Sequence, residues 1–195
     1  MPTNVTIPNL LTVVRIVLAA LGAWLGPVSG GDGGAVWVLI VAAVLDAFDG
    51  WYARAFSQST SLGKHLDPFA DKVLVTVILV WVGMDAASAV VWSLIGVALA
   101  REAAMTLLRM HSARRRRRLI PASRLGRLKM FLQCTGGLTI LGVTHMLGRQ
   151  VPAGVVAAAL AGMLAVSLAA MVGYLKAKGS AADHEQTHFA LRSPG

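Results

Sequence analysis

The chain holds nine acidic residues, and four of them, Asp46, Asp49, Asp67 and Asp71, crowd into one stretch between long apolar runs. On a helix advancing about 100° per residue, Asp46, Asp49, Gly50 and Ala53 share one face, so two carboxylates stand beside positions with little or no side chain. Such a face leaves room for something bulky. Asp67 and Asp71 are one turn apart on a second helical segment, and Pro68 places the start of that helix near residues 63–67. Bare carboxylates at mid-bilayer cost about 2.5–3.5 kcal/mol each on insertion scales, so four cost on the order of 10 kcal/mol. Divalent cations remove that cost. All-oxygen ligation by Asp, with no Cys or His close by, suits Mg²⁺, Mn²⁺ or Ca²⁺ and not zinc. A pair of such ions with open positions is also a site for phosphate. The bland alternative is four Asp that cap helices or sit solvated at a water-filled loop.

The elements that must position these residues are membrane helices. At 195 residues, 56% hydrophobic, 14% charged and with a mean hydropathy of +0.66, the chain is too apolar for a soluble domain and long enough for one membrane domain. The expected fold is an all-α integral membrane protein of six transmembrane helices, with spans near residues 7–26, 35–56, 66–84, 89–110, 125–147 and 151–175. No short h-region with a cleavage site marks the first span as a removable signal. Asn9, Thr12 and Arg15 project from it at helical spacing, and Arg15 either snorkels to the interface or faces a phosphate inside the bundle. The first Asp pair closes span two and the second opens span three, which puts all four carboxylates on one side of the membrane.

Span four carries Arg101 and Glu102, whose adjacent positions point to different faces, so they are not expected to be simply each other's partners. Five consecutive arginines, Arg114 to Arg118, read as a solvated, topogenic loop that can also hold anionic head groups. Ser123 is a plausible N-cap for span five, which carries Arg127 and Lys129 in its first turns. The Ala- and Gly-rich sixth span suits close helix packing in lipid. Basic residues gather before span three, around the arginine run and after span six, and this asymmetry orients both termini to the cytoplasm. Residues 1–178 then form the membrane domain, and residues 179–195 a polar, disordered tail. The net charge of +9 is accounted for by topology and anionic lipid and calls for no nucleic acid. The single Cys134 excludes an internal disulfide and is read as core.

The spacing D-x2-D-G-x2-A-R-x8-G-x3-D-x3-D, here Asp46, Asp49, Gly50, Ala53, Arg54, Gly63, Asp67 and Asp71, resembles the signature of the CDP-alcohol phosphotransferases at all eight positions. The stretches IPNLLTVVR and LIPASRLGRLKMFLQ are similar to the branch of that family that makes phosphatidylglycerophosphate. The resemblance implies an enzyme of phospholipid biosynthesis in the plasma membrane, multi-pass, with its active site on the cytoplasmic face. CDP-diacylglycerol would be the donor and glycerol 3-phosphate the acceptor, with membrane lipids as surroundings. It implies Mg²⁺ or Mn²⁺, as two ions, on Asp46, Asp49, Asp67 and Asp71, with Asp71 also the general base. Gly50, Ala53 and Gly63 would let the nucleotide approach the backbone, while Arg54 would contact phosphate or stay in the loop. Membrane enzymes of this family commonly form homodimers.

An acceptor that carries its own phosphate calls for a second, basic cluster, and Arg101, Arg109, Lys129 and Arg15 are the candidates, although positive-inside topology alone also places basic residues at that depth. Glu102 could orient one of these cations. Two rival readings stand beside the first. One is a cardiolipin synthase that uses phosphatidylglycerol as acceptor; the other, of a different class, is a cation channel or transporter whose Asp cluster lines the ion path.

Overall fold

The structure is a computed structural model that describes residues 7–28, 33–55, 63–116 and 124–190, with side chains described at 10–26, 33–48, 69–108 and 128–175. Six helices occupy the described residues: α1 (Ile7–Val28), α2 (Gly33–Ala55), α3 (Gly63–Ala86), α4 (Ala89–Arg116), α5 (Arg124–His145) and α6 (Ala153–Ala190). No strand occurs among them. α1 packs on α2 and α3; α5 lies against α2, α3 and α6; and α4 packs on α3 and α6.

Glycine contacts give the direction of each helix. A Cβ on Gly22 of α1 would meet Leu39 near the start of α2, and one on Gly26 would lie 3.1 Å from the Trp81 ring near the end of α3. Gly33, opening α2, faces Met146 just beyond α5, and Gly83 of α3 faces Trp92 and Ile95 of early α4. The helices therefore alternate up and down, and α3 and α5 run parallel. At that end Asp85 of α3 and the His145 ring of α5 approach to 2.7 Å, tying the two helix termini together. Ala87, with φ at 44°, turns the chain between α3 and α4 and donates its N–H to the carbonyl of Gly83. Gly148, at φ 60°, does the same work after α5, where a left-handed residue costs glycine nothing.

The fully buried apolar side chains, among them Leu39, Ile78, Leu79, Val82, Val91, Ile95, Leu141 and Val156, concentrate toward this same end. The buried polar residues Thr12, Arg15, Arg101, Lys129, Gln133 and Ser167 all fall in the opposite half. An apolar plug thus closes one end of the bundle and the other end carries the charge.

Two helices, α4 over Ala89–Leu108 and α6 over Ala153–Leu175, hold windows long and apolar enough to cross a membrane, and shorter apolar stretches cover Leu10–Gly26 and Gly33–Phe48. Most side chains in the two long windows face outward, as they do in lipid and not in a soluble core. This is a membrane protein. Two boundaries differ from those expected. α4 runs on through Arg116, so the arginine run begins as helix instead of loop, and residues 117–123, which include Ser123, lie outside the described residues. α6 continues to Ala190, past the expected end of the sixth span and through most of the segment read as a disordered tail. Ala, Lys, Glu, Gln and Arg are sound helix formers, so helix outlasts hydropathy in both places.

Candidate active site

Arg15 stands at the centre of the carboxylate cluster. It belongs to the first half of α1, where the surrounding sequence is apolar, and its side chain is 0% exposed. Its Nη1 pairs with Asp46 of α2 and lies 2.8 Å from Oδ1 of Asp71 of α3. Three helices distant in sequence therefore meet on one guanidinium nitrogen. The snorkelling alternative is overturned: a snorkelling head group reaches water, whereas this one is buried between two anions. Nor does Arg15 join Arg101 and Lys129; it stands with the carboxylates.

Asp46 and Asp71 keep 44% and 32% of their side chains open, so each retains oxygen surface beyond the ion pair. Asp49 and the positions Gly50, Ala53 and Arg54 continue the α2 backbone, and Gly63 and Asp67 open α3, as the placing of Pro68 requires; their side chains lie outside the described residues. No group of three acidic, His or Cys side chains is assembled among the described residues. The two carboxylates that are described fit a divalent cation in kind and in placement. Both are hard oxygen donors, they come from different helices to one point, and they remain open to a further ligand. Asp49 lies three residues after Asp46 on α2, and Asp67 four residues before Asp71 on α3.

A second polar cluster joins α4, α5 and α6. Glu102 accepts from Arg101 Nη1 at 2.9 Å and pairs with Lys129 Nζ through the same oxygen. Arg101 also donates, through Nη2, to the backbone carbonyl of Ser167. Arg101 and Glu102 do pair, though not simply with each other, since Lys129 shares Glu102 and the Ser167 carbonyl shares Arg101. Neighbouring Cβ atoms do diverge on a helix, but both side chains are long enough to curl to a common point, and Lys129 draws Glu102 there. The cluster is largely buried, with Arg101, Lys129 and Glu102 side chains 6%, 9% and 15% exposed. Arg109 lies on α4 with its side chain outside the described residues, as does Arg127 on α5.

The two clusters share a level. Gly137 of α5 is opposite Ile78 of α3, since a Cβ there would run into the Ile78 side chain. Because α3 and α5 are parallel, stepping back two turns on each, about seven or eight residues, brings Asp71 level with Lys129. A shared level is one condition of a phosphate role for the basic cluster, and residue order alone does not supply it. A link also runs between them through Lys72, which follows Asp71: its Nζ meets Thr106 Oγ1 of α4, and that hydroxyl donates to the Glu102 carbonyl at 2.8 Å. Lys72 and Thr106 carried no expected role, since a lone Lys at a helix start and a lone Thr in an apolar run are unremarkable in sequence.

A family model described as CDP-alcohol phosphatidyltransferase matches residues 5–171. Among curated relatives, the CDP-diacylglycerol–glycerol-3-phosphate 3-phosphatidyltransferases of Escherichia coli (strain K12) and Shigella sonnei (strain Ss046) are each 47% identical over 79 residues, which is 39% of this chain and 43% of the relative. The matched stretch thus spans less than half the length of those relatives.

Proposed function

Because the chain belongs to the CDP-alcohol phosphatidyltransferase family, we propose that it transfers the phosphatidyl group of CDP-diacylglycerol to glycerol 3-phosphate, releasing CMP in the plasma membrane. The observation that carries this reading is the meeting of Asp46 and Asp71 on Arg15, level with a separate buried cluster of Arg101 and Lys129 on Glu102. The relatives' names supply the donor and the acceptor as a specific pair to test.

Asp46, Asp49, Asp67 and Asp71 would hold the Mg²⁺ or Mn²⁺ ions, two in number. Bound there, such ions neutralise a pyrophosphate and polarise the phosphorus under attack. The chain's own residues do the remaining work. Arg15 fixes Asp46 and Asp71 relative to each other, so the ligand set is organised before substrate arrives. In the reaction the acceptor hydroxyl oxygen bonds to the phosphatidyl phosphorus, the bond from that phosphorus to the CMP oxygen breaks, and the hydroxyl proton passes to the Asp71 carboxylate. Carboxylates are weak bases toward alcohols, so placement of the hydroxyl must supply much of the rate. Gly50, Ala53 and Gly63 leave space for the nucleotide beside the backbone, and Arg54 is at hand for its phosphates.

Lys129 and Arg101 are assigned to the acceptor phosphate, joined by Arg109 from the same end of α4. Glycerol 3-phosphate brings close to two negative charges toward carboxylates and a pyrophosphate, so it needs fixed cations far more than phosphatidylglycerol would. That requirement favours glycerol 3-phosphate over the cardiolipin reaction. A channel would need polar residues through the whole bilayer depth. The buried polar residues described here keep to one half, above an apolar plug, which favours the enzyme.

Six membrane spans with both termini and the site on the cytoplasmic side are part of the same proposal. Exposed Trp24, Trp37 and Trp92 all lie at the plugged end, where an aromatic belt marks a membrane interface, and basic residues dominate the other end. The test is an acceptor panel: purified protein with CDP-diacylglycerol and Mg²⁺, offered glycerol 3-phosphate or phosphatidylglycerol, scored by CMP release and lipid product. Phosphatidylglycerophosphate is the expected product; cardiolipin from phosphatidylglycerol with glycerol 3-phosphate inert would replace the acceptor, and no CMP with any acceptor would end the enzyme reading.

A further inference from the structure

On α4, α5 and α6, three buried polar atoms have no hydrogen-bond partner among the described residues: Nε of Arg101, Oγ of Ser167 and Oε1 of Gln133. Their residues are 7%, 1% and 2% exposed, so bulk water does not serve them. Orphaned groups of this kind cost about 1–3 kcal/mol each and are rare without a reason.

Helix register brings the three together. A Cβ on Gly136 of α5 would strike Met163 of α6, and the two helices are antiparallel. One turn back on α5 and one turn on along α6 sets Gln133 at the level of Ser167. The Ser167 carbonyl in turn takes the Arg101 guanidinium. On α3 the same level is Leu74, one turn deeper than Asp71, since Gly137 faces Ile78. The orphans therefore lie at one level of the bundle, a single turn beyond Lys129 and Asp71.

Their chemistry specifies what would satisfy them. Arg101 Nε offers a hydrogen and needs an acceptor, Gln133 Oε1 needs a donor, and the Ser167 hydroxyl takes either. A phosphate oxygen answers the first and cannot answer the second, because at neutral pH it has little hydrogen to give. A hydroxyl group answers the second. We infer that Gln133 reads a hydroxyl of the acceptor other than the one that reacts, so that the site selects a phosphorylated polyol over a phosphorylated simple alcohol. This rests on the acceptor reading above and adds to it a specificity-determining residue: with the phosphate on Lys129 and Arg101, the middle hydroxyl of glycerol 3-phosphate donates to Gln133 Oε1 while a terminal hydroxyl reaches toward Asp71.

The test compares glycerol 3-phosphate with 3-hydroxypropyl phosphate, which keeps the phosphate and the reacting hydroxyl and lacks the middle one, in wild type and Gln133→Met. Methionine fills nearly the same volume without the carbonyl. Wild type should favour glycerol 3-phosphate by about tenfold or more in kcat/KM, the scale of a lost hydrogen bond to a buried group. In the variant that ratio should fall to within about twofold, by loss on glycerol 3-phosphate alone, and the melting temperature in detergent should hold or rise. A purely structural Gln133 would lower both substrates and the melting temperature together. A wild-type preference below about threefold overturns the inference without any variant, and so does a ratio that Gln133→Met leaves unchanged. Wild type that converts neither phosphate overturns the acceptor reading, and this inference with it.

Discussion

Two charge clusters divide the open half of this bundle, and they are built in opposite senses. Around Arg15, two carboxylates, Asp46 and Asp71, share one cation; around Glu102, two cations, Arg101 and Lys129, share one carboxylate. The anionic cluster leaves its shared partner buried and its outer members partly open. The cationic cluster is closed on every member. A buried ion pair seldom stabilises a fold by itself, because desolvation cancels most of the attraction. Clusters that join unlike numbers of the two signs are costlier still, and under the proposed function the first would take cations and the second an anion. On the proposed function, this division would let one fold hold both reactants of a phosphoryl transfer.

The comparison breaks most severely at Asp71. Asp71→Asn keeps size and helix propensity but removes one of the two charges on Arg15, and turnover measured as CMP release should fall by a factor of about 1,000 or more, on the order of 4 kcal/mol in the barrier. The protein should still insert and fold, since the lost charge was a cost in the membrane. Retention of a tenth of the wild-type rate at saturating Mg²⁺ would remove Asp71 from the site.

Lys129→Met cuts into the other cluster. It should lower kcat/KM for glycerol 3-phosphate by roughly 30- to 100-fold, about 2–3 kcal/mol, through a raised KM, in the range for a charge-assisted hydrogen bond to phosphate. The KM for CDP-diacylglycerol should move by less than about threefold. Equal effects on both substrates would mean that the two clusters do not divide the reactants between them.

The mildest outcome concerns charge that belongs to neither cluster. Replacing Arg114 to Arg118 with Gln should leave kcat in neutral detergent within about twofold, because a solvated positive segment contributes nothing specific to the transition state. A hundredfold loss with folding intact would extend the cationic cluster to the end of α4.

Sequence reading located the anionic cluster and not its keystone. Four Asp at fixed offsets among apolar runs are conspicuous, whereas Arg15 looks the same in sequence whether it snorkels or is buried; only the packing of α1 on α2 and α3 decides. Both cationic residues were legible as candidates by depth. Their joint capture by Glu102 was not, because side-chain reach counts as much as Cβ direction once a third helix supplies a partner. Gln133 and Ser167 drew no notice for a different reason. A neutral polar residue in an apolar span usually satisfies itself on its own helix, and only the packed structure reveals an oxygen that does not. Helix ends at Arg116 and Ala190 were missed because hydropathy reports where lipid ends, and helix propensity does not stop there.

The paired glycines of α5 have a mechanical consequence. Gly136 and Gly137 let Met163 and Ile78 press against the helix backbone from two sides, near the middle of the bundle and about one turn from Gln133. They act as a shim of zero thickness. A single methyl at Gly137 would wedge α3 away from α5, and because both helices run on toward the open end, the wedge would lengthen the gap between Asp71 and Lys129. The spacing of Asp71 and Lys129, and on the proposed function of the two reactants, would thus depend on residues that touch neither.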